Sequence, residues 1–325
     1  MKPQDTQMAP PQTLNVHYLG TGGIFLQAEG ISVLGDPFFT NPYFWNTVSP
    51  FPVRSKTKRI DHIVGTLPGL APLQAILVTH AHYDHAMDVP YIAERFAPVC
   101  IYGSETLGNS LGALARGRFC SLAGKVNGDA SDATWVRISP HMKIAAIQAE
   151  HFEHARLLGR TFFYADGEHD EPLADPPSRL FSWRVGATYS YLIDILDGGR
   201  PGKTLFRILY MPSAATHPTG APTEGLLKDG KRIDLAVLGA AQLERDTTYP
   251  GALLHALDPR AVMLVHWDNF VDDYRSKHLL NFRVDPAEIA RRIRDADRDG
   301  DVEVYWPHRG ASVNFPLAST TMNII

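Results

Sequence analysis

The chain has 325 residues, of which 44% are hydrophobic, so it can bury a sizeable core as one large domain or two ordinary ones. A formal net charge of -4 provides no electrostatic attraction to nucleic acid or to an anionic membrane, so we expect neither partner. The two cysteines are too few for a disulfide framework or a thiolate zinc site, so any metal must use histidine and carboxylate ligands.

The beginning of the chain is polar and rich in proline. Residues 1–13 lack the apolar middle of a signal peptide and are predicted to form a disordered lead-in to one domain over residues 14–325. No apolar run approaches the roughly 20 residues that span a bilayer. We therefore expect a soluble protein, cytoplasmic as the sequence stands, or periplasmic or secreted if a signal peptide has been removed.

Short apolar runs separated by glycine follow the lead-in. The sequences LNVHYLG, GIFLQAEG and ISVLGDP predict strands joined by tight turns. The GTGG between the first two runs lacks the lysine of a phosphate-binding loop and is interpreted as a turn. Residues 37–58 carry aromatic and proline residues without any period, which predicts a long loop that either lines a pocket or plugs the sheet.

The remainder of the chain contains both strand and helix patterns. Strands are predicted in QAILVTH, VCIYGS, TWVRIS, MKIAAIQAEH, FSWRVGATYSYLIDIL, TLFRILYMP, DLAVLGAA, AVMLVHW and VEVYWP. Helices are predicted in MDVPYIAERF, ETLGNSLGALA, PGALLHAL and PAEIARRIRDA. Residues 164–179 form an acidic, proline-rich excursion. The order of elements predicts one α/β domain with two long loops.

Three histidines and an aspartate fall within six positions directly after an apolar run. His80 and His82 are two residues apart, so at the end of an extended strand both side chains point to one face and can bind one cation. Asp84 and His85 follow where the chain turns into a helix, and they add more ligands than one tetrahedral ion takes from a single segment. The cluster predicts two adjacent metal sites; the alternative is a polar turn of surface histidines.

The sequence THAHYDH resembles the HxHxDH signature of the metallo-β-lactamase fold superfamily, whose members are mostly metal-dependent hydrolases. Upstream, YLGTGGIFLQAEGISVLGDPFF is similar to the opening of the branch that contains ascorbate-phosphate lactonase-like and N-acylphosphatidylethanolamine phospholipase D-like proteins. The resemblance extends over residues 14–315. It implies an α/β fold, a four-layered αβ/βα sandwich with the metals in a cleft at one edge of two sheets.

The resemblance also implies which later residues complete the ligand set. His151, at the end of a strand, is the implied third ligand beside His80 and His82, with His154 as a further candidate; either could instead be a solvated loop histidine. His266 ends a later strand and is implied to join Asp84 and His85 at a second ion. His308, near the C-terminal strand, is a weaker candidate for the cleft.

Three further positions are candidate supporting residues. Asp36 follows a strand and either holds a ligand imidazole or only initiates a turn. Asp268 either orients His266, binds metal itself, or is an ordinary turn aspartate. The superfamily commonly places a bridging aspartate in a turn that corresponds to ILYMPSAATH, where this chain has Ser213 or a neighbour instead.

Imidazole and carboxylate ligands without thiolate suit Zn²⁺, and Mn²⁺ and Fe²⁺ accept similar sets. One or two such ions with an open position activate water, which predicts a hydrolase acting on an ester, lactone or phosphodiester bond of a small molecule, with Asp84 as general base. The same resemblance leaves two alternatives open. One is an iron-dependent redox enzyme, and the other is a degenerate, non-catalytic metal-binding protein, suggested by the missing bridging aspartate.

Overall fold

The computed structural model describes residues 12–43, 45–46, 51–126, 135–152, 156–157, 160–161, 165–199, 202–271, 280–281 and 284–317. Most of the predicted lead-in therefore lies outside the described residues. Among the helices of the described part, none combines the length and the apolar character that crossing a membrane requires.

The strands lie close to the predicted apolar runs. In chain order they are β1 (Thr13–Gly20), β2 (Gly23–Ala28), β3 (Ile31–Gly35), β4 (Ala75–Leu77), β5 (Cys100–Tyr102), β6 (Val136–Ser139), β7 (Met142–Ala149), β8 (Arg156–Leu157), β9 (Arg160–Thr161), β10 (Thr188–Leu196), β11 (Thr204–Met211), β12 (Leu235–Gly239), β13 (Ala261–Val265), β14 (Glu303–Tyr305) and β15 (Ser312–Pro316).

The helices connect the parallel strands and cover the sheets. They are α1 (Thr57–Val64), α2 (Tyr83–Ala86), α3 (Val89–Arg95), α4 (Glu105–Ser110), α5 (Gly112–Arg116), α6 (Gly251–Leu257) and α7 (Pro286–Ala296), with short 3-10 turns at Leu180–Ser182 and Leu243–Arg245. Helix α7 shows why such a segment is helical. Asp285 caps it by accepting a hydrogen bond from the Glu288 amide, a proline occupies its first turn, and Ile289 and Ile293 form one buried face.

Two mixed sheets and a small ribbon are present. The first sheet has the order β15-β1-β2-β3-β4-β5, the second has the order β14-β13-β12-β11-β10-β7-β6, and β8 pairs with β9. In the first sheet β3, β4 and β5 are parallel, and in the second β11 to β14 are parallel, while the other pairs are antiparallel.

Alternate side chains of one strand reach different cores, which creates the layers. On β2, Leu26 belongs to a core that also contains Tyr191 of β10, whereas Phe25 belongs to a second core that contains Ile92 of α3. The first core continues past the second sheet to Ile289 of α7. The order is therefore helices, sheet, sheet, helices, which confirms the predicted α/β sandwich.

Several functional candidates follow the carboxyl ends of strands. Asp36 follows β3, His80 follows β4, His151 follows β7, Ser213 follows β11 and His266 follows β13. The carboxyl ends of parallel strands meet at one edge, and β7 points the same way as β11 because each is antiparallel to β10. The topology therefore brings distant parts of the sequence to one edge of the two sheets.

The described part of the aromatic loop supports the plug, one of the two roles between which the sequence left a choice. Phe38 and Phe39 are fully buried in the second core, as a hydrophobic plug requires. Tyr43, Trp45 and Phe51 are instead exposed. The loop ends two residues earlier than predicted, at position 56, because helix α1 begins at position 57.

Some local features differ from the prediction or were not predicted. The strand predicted from position 181 begins only at Thr188, and the preceding residues form a 3-10 turn and irregular structure. Helix α1 and strands β8, β9 and β15 were not predicted. The two cysteines form a disulfide, Cys100–Cys120, because the chain returns beside β5, where the Cys120 amide donates to the Ile101 carbonyl at 2.8 Å.

Candidate metal centre

His80 and His82 lie in an extended segment between β4 and α2. Backbone hydrogen bonds hold this segment on both sides, since the Val78 amide donates to Tyr102 in one sheet and the Ala81 amide donates to Val185 near the other. Both histidines are buried, and their ring centroids are 4.7 Å apart. The segment therefore presents two imidazoles to one point without freedom to turn outward.

His151 completes the first group of possible ligands. It follows β7, and its ring centroid lies 4.7 Å from those of both His80 and His82. Each of the three residues offers a nitrogen, and these atoms all lie within 4.8 Å of one another. This spacing is suited to three ligands around one ion. His154, the other candidate on this loop, lies outside the described residues.

The second group consists of Asp84, His85 and His266. Oδ2 of Asp84 lies 3.6 Å from Nε2 of His85 and 3.5 Å from Nε2 of His266. Asp84 and His85 are in the first turn of α2, directly after the extended segment, whereas His266 comes from the end of β13. One carboxylate and two imidazoles thus converge from both sheets.

The two groups adjoin each other. The ring centroids of His80 and His85 are only 4.0 Å apart. Gly22 in the first turn makes room for this packing, because a Cβ atom there would lie 2.9 Å from Cε1 of His85 and 3.1 Å from Cβ of Pro212. The turn that contains Ser213 therefore begins beside His85, although Ser213 itself is only partly buried.

Asp36 fixes the orientation of His85. Its fully buried carboxylate accepts hydrogen bonds from the amide (2.7 Å) and hydroxyl (2.6 Å) of Thr79, and Oδ2 lies 2.8 Å from Nδ1 of His85. Because Asp36 accepts at Nδ1, that nitrogen carries a proton and Nε2 faces the second group. Burial alone would lower the pKa of His85, but Asp36 and Asp84 outweigh it and raise the pKa. Asp36 also has a positive φ of 37°, so it both forms a turn and holds an imidazole.

The charges of the neighbouring groups set their protonation. Burial and the nearby imidazoles, including His85 and His151, hold the pKa of His80 well below its usual range, so His80 is neutral. Burial alone would raise the pKa of Asp84, but His85 and His266 outweigh it and lower the pKa. A neutral imidazole and an ionised carboxylate are the forms that bind metal ions.

One buried atom supports the fit of these residues to a cation. Within the described part of the chain, Nε2 of His80 is buried and has no hydrogen-bond partner. Buried polar atoms are normally satisfied, and an unpaired one calls for an explanation such as a bound ion. The donor set contains only imidazole and carboxylate groups, which suit a divalent metal.

Asp268 lies behind the second group rather than in it. One of its oxygens accepts hydrogen bonds from the Tyr18 hydroxyl and from the Thr21 amide at 2.8 Å, and the other faces the Arg309 guanidinium, with Nε at 2.9 Å. The Thr21 carbonyl in turn accepts from the His266 amide at 2.6 Å. Asp268 thus fixes the backbone that presents His266, and its two oxygens are already engaged.

Tyr18, Thr21 and Arg309 are residues of this network that the sequence did not reveal. His308, the neighbour of Arg309, was the candidate, but His308 is exposed while Arg309 is 2% exposed. The only signal was the position of PHRG between two terminal strands, which could not indicate the ion pair with Asp268. Gly20 lies against this pair, since a Cβ atom there would lie 2.6 Å from Nε of Arg309.

Comparisons with known proteins agree with this architecture. The family model described as "Beta-lactamase superfamily domain" matches residues 32–267. The structure of Igni18, described as a novel metallo hydrolase from Ignicoccus hospitalis, has a TM-score of 0.55 and 17% identity and covers 94% of this chain and 100% of that chain. No match was found among curated proteins.

A second solved structure is also similar in fold. CmlA, described as a diiron β-hydroxylase from Streptomyces venezuelae, has a TM-score of 0.53 and 16% identity, and the match covers 95% of this chain but 55% of CmlA. Such low identity shows a shared fold and does not transfer an activity.

The first group generates a prediction about metal content. We expect the purified protein to carry at least about 0.5 equivalent of a transition metal and the double variant His80→Ala/His82→Ala to lose it, because two of three converging donors are removed. Elemental analysis measures both proteins. The matched control is His62→Ala/His308→Ala, which removes two exposed histidines and should retain the metal. Equal metal content in the two double variants would contradict this ligand assignment.

The ion pair behind His266 generates a prediction about stability. Arg309→Met should lower the free energy of unfolding by about 3–5 kcal/mol, because it leaves the buried Asp268 carboxylate without its cation. Arg260→Met is the matched control, since Arg260 is 62% exposed in its pair with Asp234, and it should cost less than about 1 kcal/mol. Denaturant titration measures both losses. Similar losses would mean that the buried pair has no special structural role.

Proposed function

We propose that this chain, which belongs to the beta-lactamase superfamily, is a metal-dependent hydrolase that directs an activated water at an ester, lactone or phosphodiester bond of a small molecule. The observation that carries the proposal is the meeting of two three-residue donor groups, joined through His80 and His85, at one edge of the sheets. That the chain belongs to the branch containing lactonase-like and phospholipase D-like proteins stays a prediction, which is based on the upstream sequence YLGTGGIFLQAEGISVLGDPFF.

The donor groups suggest how metal would be held. In this proposal His80, His82 and His151 bind one ion, and Asp84, His85 and His266 bind the other. Zinc suits these donors, and manganese(II) or iron(II) would use the same atoms. A bound ion with an open position lowers the pKa of water to about 7 and polarises a carbonyl or phosphoryl oxygen.

The side chains themselves would perform the remaining tasks. Asp84 is ionised because His85 and His266 outweigh the effect of burial and lower its pKa, so its carboxylate can accept a proton from the attacking water. Asp36 holds the tautomer of His85, and the backbone contact through Thr21 holds His266. These contacts keep the donors in place without rearrangement during a reaction.

An iron-dependent redox enzyme is the second candidate. Its support is that the same imidazole and carboxylate donors accept iron, and that a diiron hydroxylase shares the fold. Iron as the metal that copurifies, together with oxygen consumption in the presence of a reductant, would favour this candidate over a hydrolase. A degenerate binding protein would retain metal but hydrolyse no member of a panel of lactones, phosphodiesters and β-lactams.

The hydrolase proposal predicts a large effect at Asp84. Asp84→Asn should lower turnover of the best substrate by about 100-fold or more, because the amide cannot take the proton from water. A chelator should abolish the activity of the unmodified protein, and zinc or manganese should restore it. Asp295→Asn, at an exposed pair on α7, is the matched control and should leave turnover unchanged. Unchanged turnover in Asp84→Asn would refute the assigned role.

The turn at Ser213 generates a prediction about unequal metal affinity. A serine oxygen carries less charge than the expected bridging carboxylate and offsets less of the repulsion between two dications. The ion at Asp84, His85 and His266 should therefore bind more weakly than the other. Ser213→Asp should tighten that weaker site by about 10-fold or more. Calorimetric titration of stripped protein measures both sites, and two equally tight sites in the unmodified protein would contradict the prediction.

A further inference from the structure

We propose that Tyr83, Phe181 and Phe270 form an aromatic wall beside the metal centre that binds an apolar acyl or aryl group of the substrate. The Tyr83 ring lies edge-on to Phe181, with centroids 6.5 Å apart and planes at 90°, and its centroid lies 6.4 Å from that of Phe270. These are distances and angles of interacting aromatic rings. The inference rests on the proposed hydrolase function and names the substrate class of that site.

The aromatic wall directly adjoins the second donor group. Tyr83 separates His82 from Asp84 in the sequence, so its position is fixed by the same extended segment and helix that fix the donors. Phe270 stands against His266 with ring centroids 5.1 Å apart and planes at 88°. A group bound against the wall would therefore lie next to the donors rather than at a remote surface.

The backbone around Phe181 anchors this member of the wall. Leu180, directly before it, and Trp183, two positions after it, are 3% and 1% exposed and belong to the second core. Between them, the Ser182 carbonyl oxygen lies 2.9 Å from Nε2 of His169. Phe181 itself is only partly buried. The chain thus presents this ring from a fixed 3-10 turn while leaving part of it open.

The other two rings are also supported from behind. Phe38, fully buried, lies edge-on to Tyr83 with centroids 5.9 Å apart. Phe270 follows Asn269, whose carbonyl accepts from Arg309 at 3.3 Å and whose side chain accepts from the Val271 amide at 3.1 Å. The wall is therefore built on segments already held by the core and by the ion pair.

The exposure of the rings favours a binding role over packing alone. Tyr83 is 9% exposed, whereas Phe181 and Phe270 retain an intermediate exposure. Ligand sites combine such apolar surface with a few convergent polar groups, which here are the imidazoles and Asp84. Covering the open faces of the rings with an apolar group would remove them from water and strengthen binding. A substrate with only small polar groups would gain nothing from them.

Hydroxamates separate binding at the wall from binding at the metal. They chelate metal through the same head group whatever their tail, so we compare acetohydroxamate, octanohydroxamate and benzohydroxamate by calorimetry on the zinc-loaded full chain. Octanohydroxamate or benzohydroxamate should bind about 10-fold or more tighter than acetohydroxamate, because part of the tail is buried against the wall. The tail with the larger gain identifies the acyl or the aryl group as the preferred ligand.

Variants of the wall residues then show where the tighter binding of the apolar tails arises. Phe181→Ala and Phe270→Leu should each reduce the preference for the apolar tail by about 3-fold or more while changing the dissociation constant of acetohydroxamate by less than about 2-fold. Phe96→Ala is the matched control, because Phe96 is also partly buried but ends helix α3 away from the donors. Metal content of each variant is measured alongside, so that a loss of the ion is not mistaken for a loss of the wall.

The outcomes distinguish a failure of the aromatic wall from a failure of the proposed hydrolase function. Equal affinity for all three hydroxamates in the unmodified protein would overturn the wall and leave the metal-dependent hydrolase intact, and this comparison needs no variant to fold. A preference that persists unchanged in both wall variants would also overturn it. Failure of every hydroxamate to bind protein that retains its zinc would overturn the open coordination position on which the hydrolase proposal rests, and with it the wall.

Discussion

The burial of neighbouring imidazoles is the constraint on which the rest of the structure depends. His80, His82 and His85 are almost completely removed from water, and the His80 ring lies 4.7 and 4.0 Å from the other two. Burial disfavours a charged imidazole, and protonated rings at such distances would also repel each other, so the pKa of His80 is lowered. Neutral rings avoid the repulsion but leave buried lone pairs, and on the proposed assignment one divalent ion in each donor group would satisfy them.

The backbone around these rings is held in conformations that are costly elsewhere. Thr21, Asp36 and His266 all have positive φ, at 54°, 37° and 57°. Non-glycine residues rarely adopt this region, and such strain is typical of functional sites. The same three residues carry the contacts that offset it: Thr21 donates to Asp268 and accepts from the His266 amide, and Asp36 accepts from Thr79. Each conformation is therefore maintained by the network that it helps to build.

The distance between partners in the sequence explains which features could be predicted. The donors at positions 80–85 were predicted from their spacing, because one strand end and one helix turn bring them together. His266 required the resemblance to a family, since no local pattern links it to that segment. The pair of Arg309 with Asp268 and the disulfide Cys100–Cys120 depend on how the chain returns in three dimensions, which no spacing indicates. The runs that form the core were predicted because they are continuously apolar. The short β15 and the polar α1 bury few residues, so their local pattern gave little signal and they were not predicted.

The position of the donor groups makes the centre a junction between the two halves of the fold. His80 and Asp84 follow a strand of the first sheet, whereas His151 and His266 follow strands of the second. On the proposed assignment each ion would therefore bind residues from both sheets, and an ion that binds only the folded chain stabilises it in proportion to the logarithm of its concentration over its dissociation constant. Without an ion, the apolar core between the sheets must hold the donors together by itself. This explains why the donors lie at the edge of the sheets. The core fixes their positions, and the edge leaves room for a substrate beside the proposed ions.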